Sequence, residues 1–295
     1  NNNINNITSV YIRGGMNGWS NSNDWKLSQG SDANNWKGTF YLNTTQEFKM
    51  YINNKYYACD GKNFNSTSTY QDYLYTDGGS NMKITRYSTN GANGYVKLDV
   101  ELWGNYGNGS YNTSRLQIKQ SLVTALSPSL SASNTSLIKS GTSKITASCS
   151  GGSGSYTYTY KVTCDGSDVT NSTLSATTGA SVTFTAPSSV TGKKTYTITV
   201  TAKDSHALLS VLATKTATKT ITVEEAHNVT VSYKYGSTTI KANTTTSNVK
   251  YETASSITAP AIDGYKFANW TLGNGITNKS ANTTTNPISI TTKSS

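Results

Sequence analysis

The chain has 295 residues, enough for two or three domains, and it carries a formal net charge of +10. Its lysines stand singly among Thr and Ser, which predicts a solvated surface without nucleic-acid binding and leaves anionic cell-wall components as a secondary partner. No apolar run is long enough for a membrane span, and three cysteines are too few for a disulfide scaffold.

The composition predicts an all-β fold. Aromatic residues include 20 Tyr, and charged residues make up only 14% of the chain. Thr and Tyr favour pleated, half-buried surfaces, whereas Leu-, Ala- or Glu-rich helical patches are absent from the sequence. Because apolar alternation recurs along the chain, we expect it to be folded.

The first ten residues, "NNNINNITSV", are typical of neither a signal peptide nor a packed element. The last residues, "ISITTKSS", stop on a candidate strand. We therefore expect a segment of a longer mature chain.

Residues 1–120 are predicted to form a β-sandwich, because short alternating stretches are separated by Gly- and Asn-rich turns. All but one of the tryptophans and most of the tyrosines lie here. The candidate strands are "SVYIRGG", "WKGTFYL", "EFKMYIN", "MKITRY", "GYVKLDVEL" and "SRLQIKQ".

The stretch "EFKMYINNKYY" ends a strand in an aromatic turn. Alternation predicts two faces: Phe48, Met50 and Ile52 toward the core, and Lys49, Tyr51 and Asn53 on the open side. Exposed rings such as Tyr56 or Tyr57 could stack on the C–H face of a pyranose, which contributes about 2–3 kcal/mol per ring. Ordinary half-buried packing is the alternative for either tyrosine.

Residues 121–225 are predicted to form a second β-sandwich, and residues 226–295 a small β domain. Trp vanishes from the middle segment, and strands such as "YTYTYKVTC" and "KTYTITVTAK" alternate cleanly. Cys149 and Cys164 lie on neighbouring candidate strands, so they either pair with each other or remain buried thiols.

No motif in the sequence predicts catalysis or a cofactor. His206 and His227 stand apart from any nucleophile motif, and no spacing fixes two carboxylates at a glycosidase separation. Metal-ligand motifs and nucleotide-cradling glycine loops are also missing from the sequence. We therefore expect a protein that is not an enzyme.

The series "VYIRGGMNGWSNSNDWKLSQGSDANNWKGTFYL" and "EFKMYINNKYY" resembles the starch- and glycogen-binding β-sandwich modules. The shared features are a G-x-x-N-x-W turn and an "FK" strand that ends in an aromatic turn. The resemblance implies two tilted ring platforms, Trp19 and Tyr56. It also implies that Lys49 and Asn81 bind sugar hydroxyls.

Two positions depart from that family pattern. The family often has Trp where this chain has Tyr56, and the adjacent Tyr57 could serve instead. Trp25 follows Trp19 by six residues, so either ring could face the ligand.

The two later segments resemble domains of bacterial surface proteins. "CSGGSGSYTYTYKVT" is similar to an immunoglobulin-like spacer. The end of the chain is similar to small Gram-positive surface-protein repeats, with a signature at Gly264, Tyr265, Phe267 and Trp270. The aromatic pair of that signature is expected in a core, with a second carbohydrate site at Trp270 as the alternative.

Together, the resemblances imply a monomeric, secreted or cell-surface protein of a gut bacterium. It would bind starch, amylopectin, glycogen and maltooligosaccharides without catalysis, in company with amylases. Two alternatives remain open: an adhesin or stalk that binds a host glycan or protein, and an accessory segment of a larger amylase.

Overall fold

The computed structural model describes residues 4–68, 71–76, 79–106 and 113–294, and it confirms the all-β prediction. The only α-helix in these ranges is Thr170–Thr173. Within them, no helix has the length and apolar character that crossing a membrane requires.

The chain divides into two compact units. Unit 1 is Asn1–Ser127, Cys149–Tyr156 and Lys203–Thr214, and unit 2 is Pro128–Ser148, Thr157–Ala202 and Lys215–Ser295.

Unit 1 contains two sheets that pack face to face. One has six strands in the order β6-β9-β4-β5-β8 with β1 also paired to β4, and the other has the order β2-β3-β10-β11-β7. The strands are β1 (Val10–Gly14), β2 (Ser28–Gln29), β3 (Asn35–Leu42), β4 (Gln46–Ile52), β5 (Lys55–Ala58), β6 (Asn63–Phe64), β7 (Gln71–Tyr73), β8 (Tyr75–Thr76), β9 (Met82–Ile84), β10 (Val96–Tyr106) and β11 (Thr113–Leu122).

Alternation along these strands builds the core between the two sheets. In the first sheet, Ile12 of β1 lies opposite Met50 of β4, and both side chains are fully buried. Leu98 and Leu102 of β10 face them from the second sheet within the same apolar cluster. Each such side chain contributes about 1.5–3 kcal/mol by burial, so the core fixes which side of every strand faces out.

The N-terminal segment packs against this core, contrary to the sequence-based expectation. Ile4 and Ile7 are buried, and the Ile4 amide donates to the Gly104 carbonyl over 3.0 Å. The Asn53 side chain accepts from the Thr8 amide over 2.8 Å, which ties the segment to the end of β4. Two isolated isoleucines in an Asn-rich tract carry no periodic signal, so the sequence did not indicate their burial.

Unit 1 also includes two loops from the predicted second segment. Leu209 and Leu212, from the loop after strand β18 (Lys193–Asp204), are buried in a small cluster with Tyr41 and Val123. A 3-10 helix, Ala207–Leu209, presents Leu209 to that cluster. Composition alone, which placed a boundary near residue 120, did not indicate this packing.

Unit 2 contains four sheets with the orders β12-β14-β17, β13-β19-β18-β15-β16, β20-β21 and β22-β24-β23. The strands are β12 (Ser127–Ala132), β13 (Ser136–Ile138), β14 (Thr142–Ser150), β15 (Tyr156–Cys164), β16 (Ser167–Asp168), β17 (Ser181–Thr185), β18 (Lys193–Asp204), β19 (Lys215–Glu224), β20 (Ala226–Tyr235), β21 (Thr238–Lys250), β22 (Ser255–Ile257), β23 (Ile276–Asn278) and β24 (Ile288–Thr292). Each described sheet draws its strands from one predicted segment, and the three-domain division itself stays a prediction.

Two alternatives left by the sequence concern the cysteines and Trp270. Cys149 and Cys164 are free thiols, and burial raises the pKa of each. Trp270 packs beside the core of the last sheets, with its ring centroid 5.5 Å from that of Phe267. Its indole N–H donates to the Thr285 carbonyl over 3.0 Å, which favours a packing role for this ring.

Candidate functional site

The turn "GGMNGW" after β1 is fixed by the side chain of Asn17. Its oxygen accepts from the Gly14 amide over 3.0 Å, and its nitrogen donates to the Ile12 carbonyl over 2.8 Å. The Trp19 amide then donates to the Gly14 carbonyl over 3.0 Å. Gly18 and Trp19 both have left-handed φ angles, +60° and +61°. The turn therefore holds Trp19, which is half-buried, in one conformation.

Gly14 tests this geometry, because a Cβ there would stand 2.3 Å from the Glu47 carbonyl oxygen and 2.9 Å from the Phe48 Cβ. We expect Gly14→Ala to lower the free energy of unfolding by about 3 kcal/mol, since neither neighbour can move easily. At Gly18 a Cβ meets nothing within 4 Å, so the control Gly18→Ala costs only the left-handed strain, about 1 kcal/mol. Equal losses in chemical denaturation of the two variants would contradict this account.

The aromatic stretch after β4 forms a tight hairpin. Asn53 and Asn54 have φ angles of +47° and +66°, as a two-residue type I′ turn requires. This turn places Tyr56 of β5 directly opposite Tyr51 of β4. The two ring centroids lie 4.9 Å apart, and the ring planes are tilted by 60°.

Arg13 joins this hairpin to the segment that follows Trp19. Its Nη1 donates to the Tyr56 hydroxyl over 3.0 Å, and its Nε donates to the side-chain oxygen Oδ1 of Asn21 over 2.8 Å. Its guanidinium carbon lies 3.4 Å above the Tyr51 ring centroid. Such stacking orients both tyrosines and covers one face of Tyr51. We call Arg13, Tyr51 and Tyr56 the Arg13 cluster.

Two predicted polar residues lie on the same outer face. Lys49 of β4 is directly opposite Arg13 in the β1–β4 register and points away from the core. Asn81 donates from its side-chain nitrogen to the Glu47 carboxylate over 3.1 Å, and Glu47 shares the outer side of β4 with Lys49. The face thus offers amide, ammonium and carboxylate groups beside the rings.

The structure corrects two of the predicted platform residues. Trp25 is only 3% exposed and stacks on Phe40, with centroids 5.1 Å apart and planes 8° from parallel. Tyr57 is 9% exposed and belongs to the same core cluster. A stacking platform needs an open ring face, so Trp25 and Tyr57 are wrong as candidates. The remaining candidates are Trp19, Lys49, Tyr56 and Asn81.

Arg13 and Tyr51 are the site residues that the sequence-based prediction missed. The pattern "VYIRG" alternates buried and half-buried positions, which puts Arg13 on the outer face of β1. That alternation was available in the sequence. The contact with Tyr56 was not, because it depends on the pairing of β1 with β4 and of β4 with β5.

Comparisons with known proteins leave the chain without an assigned relative. No protein-family model matches it, and no curated protein or solved structure gives a significant match. Among the described residues, no group of three or more His, Cys, Asp and Glu side chains could hold a metal ion. The chemistry that the Arg13 cluster offers is stacking and hydrogen bonding.

Proposed function

We propose that unit 1 binds starch and related α-1,4-glucans without catalysis, including amylopectin, glycogen and maltooligosaccharides. The observation that carries the proposal is the position of Arg13. It connects the hairpin that bears Tyr56 to Asn21, two residues after Trp19. Arg13 therefore ties the strand that bears Tyr56 to the segment that follows Trp19.

The family resemblance implies that Trp19 and Tyr56 are tilted platforms, which suit a curved polysaccharide. The straight face of cellulose would instead favour a coplanar row of rings. A ring that covers part of a pyranose contributes about 2–3 kcal/mol, and association entropy cancels much of the total. Two rings and a few hydrogen bonds then give roughly millimolar to micromolar affinity, which suits a polymer with many repeats.

Affinity electrophoresis tests the ligand class. The wild-type chain is expected to be retarded in native gels that contain amylopectin or glycogen, and to migrate normally in gels that contain hydroxyethyl cellulose. Mucin glycans serve as the third gel, because retardation there alone would favour the adhesin. Unretarded migration in amylopectin would refute the proposal.

We propose that unit 2 is a spacer in a secreted or cell-surface protein that works beside amylases. A specific contact supports a fixed arrangement within this unit. Glu225, which follows β19, accepts on its carboxylate from the Gly192 amide over 2.7 Å and from the Ser294 hydroxyl over 2.8 Å. A buried carboxylate that binds donors from distant parts of the chain resists bending at that point.

A further inference from the structure

A second arginine of unit 1 is surrounded by aromatic rings on the other sheet. The guanidinium carbon of Arg115 lies 4.8 Å from the ring centroid of Tyr73 and 4.6 Å from that of Tyr106. The ring of Trp103 lies 5.7 Å from that of Tyr106, edge to face. We call Arg115, Tyr73, Tyr106 and Trp103 the Arg115 cluster.

Strand pairing lines this cluster up across the sheet. Trp103 of β10 lies opposite Arg115 of β11, and Arg115 lies opposite Tyr73 of β7. The neighbours Leu102 and Leu116 point into the core, so the three paired side chains point outward. Tyr73 is 49% exposed and Tyr106 is 36% exposed. Aromatic surface of this extent is therefore available to a ligand.

The Arg115 cluster repeats the chemistry of the Arg13 cluster. The sequence contains three arginines, Arg13, Arg86 and Arg115, and two of them lie over pairs of tyrosine rings. Arg is suited to this role because its planar guanidinium stacks on a ring while its N–H groups still donate. The same combination of a fixed cation and tilted rings thus occurs on both sheets of unit 1.

The charges beside the Arg115 cluster favour a neutral ligand. On the same outer face, Lys37 pairs with Glu101 over 3.2 Å, and Lys97 pairs with Asp99 over 3.6 Å. The two charges within each pair cancel, so the strip along β3 and β10 carries little net charge. A polyhydroxylated, uncharged chain complements such a surface better than a polyanion does.

We propose that the Arg115 cluster is a second binding site for a neutral glucan chain, and that unit 1 can hold two chains at once. Because the two sheets pack face to face, their outer faces point in opposite directions. One molecule with both sites can cross-link two branches of a polysaccharide. The identity of the ligand rests on the proposed function, whereas the location of the site rests on the Arg115 cluster.

Four full-length proteins test the proposal: wild type, Tyr56→Ala, Trp103→Ala and the double variant. In amylopectin gels, each single variant is expected to remain retarded, because one site is intact, and the double variant is expected to migrate freely. Loss of one ring weakens its own site by about 30- to 150-fold. Light scattering of amylopectin mixtures is expected to rise with the wild type only, since cross-linking needs both sites.

Controls separate a lost contact from a lost fold. Tyr87→Ala removes a ring that is 37% exposed and belongs to neither cluster, so its retardation should equal that of the wild type. Tyr73→Ala provides a second variant of the Arg115 cluster on a short strand. The thermal midpoint of each variant shows whether it is folded.

The outcomes are distinguishable from failure of the proposed function. If Tyr56→Ala abolishes retardation and neither Trp103→Ala nor Tyr73→Ala changes it, the second site is refuted and the Arg13 site stands. If Trp103→Ala abolishes retardation and Tyr56→Ala does not, the second site stands and the Arg13 site is refuted. A wild type that is not retarded in any glucan overturns both.

Discussion

Replacing Tyr56 by Ala is expected to weaken maltoheptaose binding at the Arg13 cluster by about 30- to 150-fold, because the variant loses a ring worth about 2–3 kcal/mol of stacking. Calorimetric titration in a Trp103→Ala background measures this, since only the Arg13 cluster then contributes. Trp19→Ala is expected to have an effect of similar size. Tyr56→Phe keeps the ring and loses only the hydrogen bond from Arg13, so the expected loss of binding free energy is about 1 kcal/mol.

Tyr235→Ala is the matched control for this series. Tyr235 is 71% exposed and lies in unit 2, so its removal should leave the titration unchanged. Unchanged affinity in both Tyr56→Ala and Trp19→Ala would show that the Arg13 cluster is not the binding site. A tenfold loss in Tyr235→Ala would place the site in unit 2.

Replacing Glu224 by Ala is expected to lower the free energy of unfolding of unit 2 by about 3–5 kcal/mol. The side chain is 2% exposed and accepts from the amides of Glu252 and Thr253, both over 2.9 Å, and from the Thr253 hydroxyl over 2.5 Å. Ala would leave all three donors without their acceptor. Glu252→Ala is the control: this side chain is half exposed in an ion pair with Lys193, and its loss costs about 0–1 kcal/mol.

The same carboxylate predicts an acid limit for unit 2. Burial raises the pKa of Glu224. Hydrogen bonds from Thr253 and the Glu252 amide, together with the charge of Lys250, lower this pKa by more than burial raises it. The net pKa therefore lies below the ordinary value of 4.5. A lowered pKa in the folded state stabilises the fold above the unfolded-state pKa, and this contribution is lost as the pH falls through the folded-state pKa. The stability difference between wild type and Glu224→Gln should therefore shrink as the pH falls below about 4.5. A difference that grows in acid would contradict this assignment.

The sequence predicted the strands and the outer face of β4 because alternation depends only on neighbouring residues. Lys49 and Tyr51 were placed on the open side in this way, and the structure agrees. The choice between Tyr56 and Tyr57 needed the register of the hairpin, which the left-handed pair at Asn53 and Asn54 sets. Adjacent residues of a strand point to opposite faces, so a shift by one position would exchange their roles.

Trp25 illustrates a limit of the sequence-based prediction. It ends a three-residue 3-10 helix, Asn23–Trp25, and no periodic pattern marks which way a ring in so short an element points. Its burial depends on stacking against Phe40, a residue of β3. The Arg115 cluster was not predicted for a similar reason, because it requires β7 to pair with the distant β11.

The most direct test of the central claim follows the indole N–H signals of the five tryptophans during a maltoheptaose titration. If Trp19 stacks on the sugar, the nitrogen–proton cross-peak of its indole moves and saturates at millimolar ligand or below, while those of the buried Trp25 and Trp36 stay in place. The account is contradicted if the Trp19 signal and every other indole signal stay fixed throughout the titration. It is also contradicted if the signal of Trp270 alone responds.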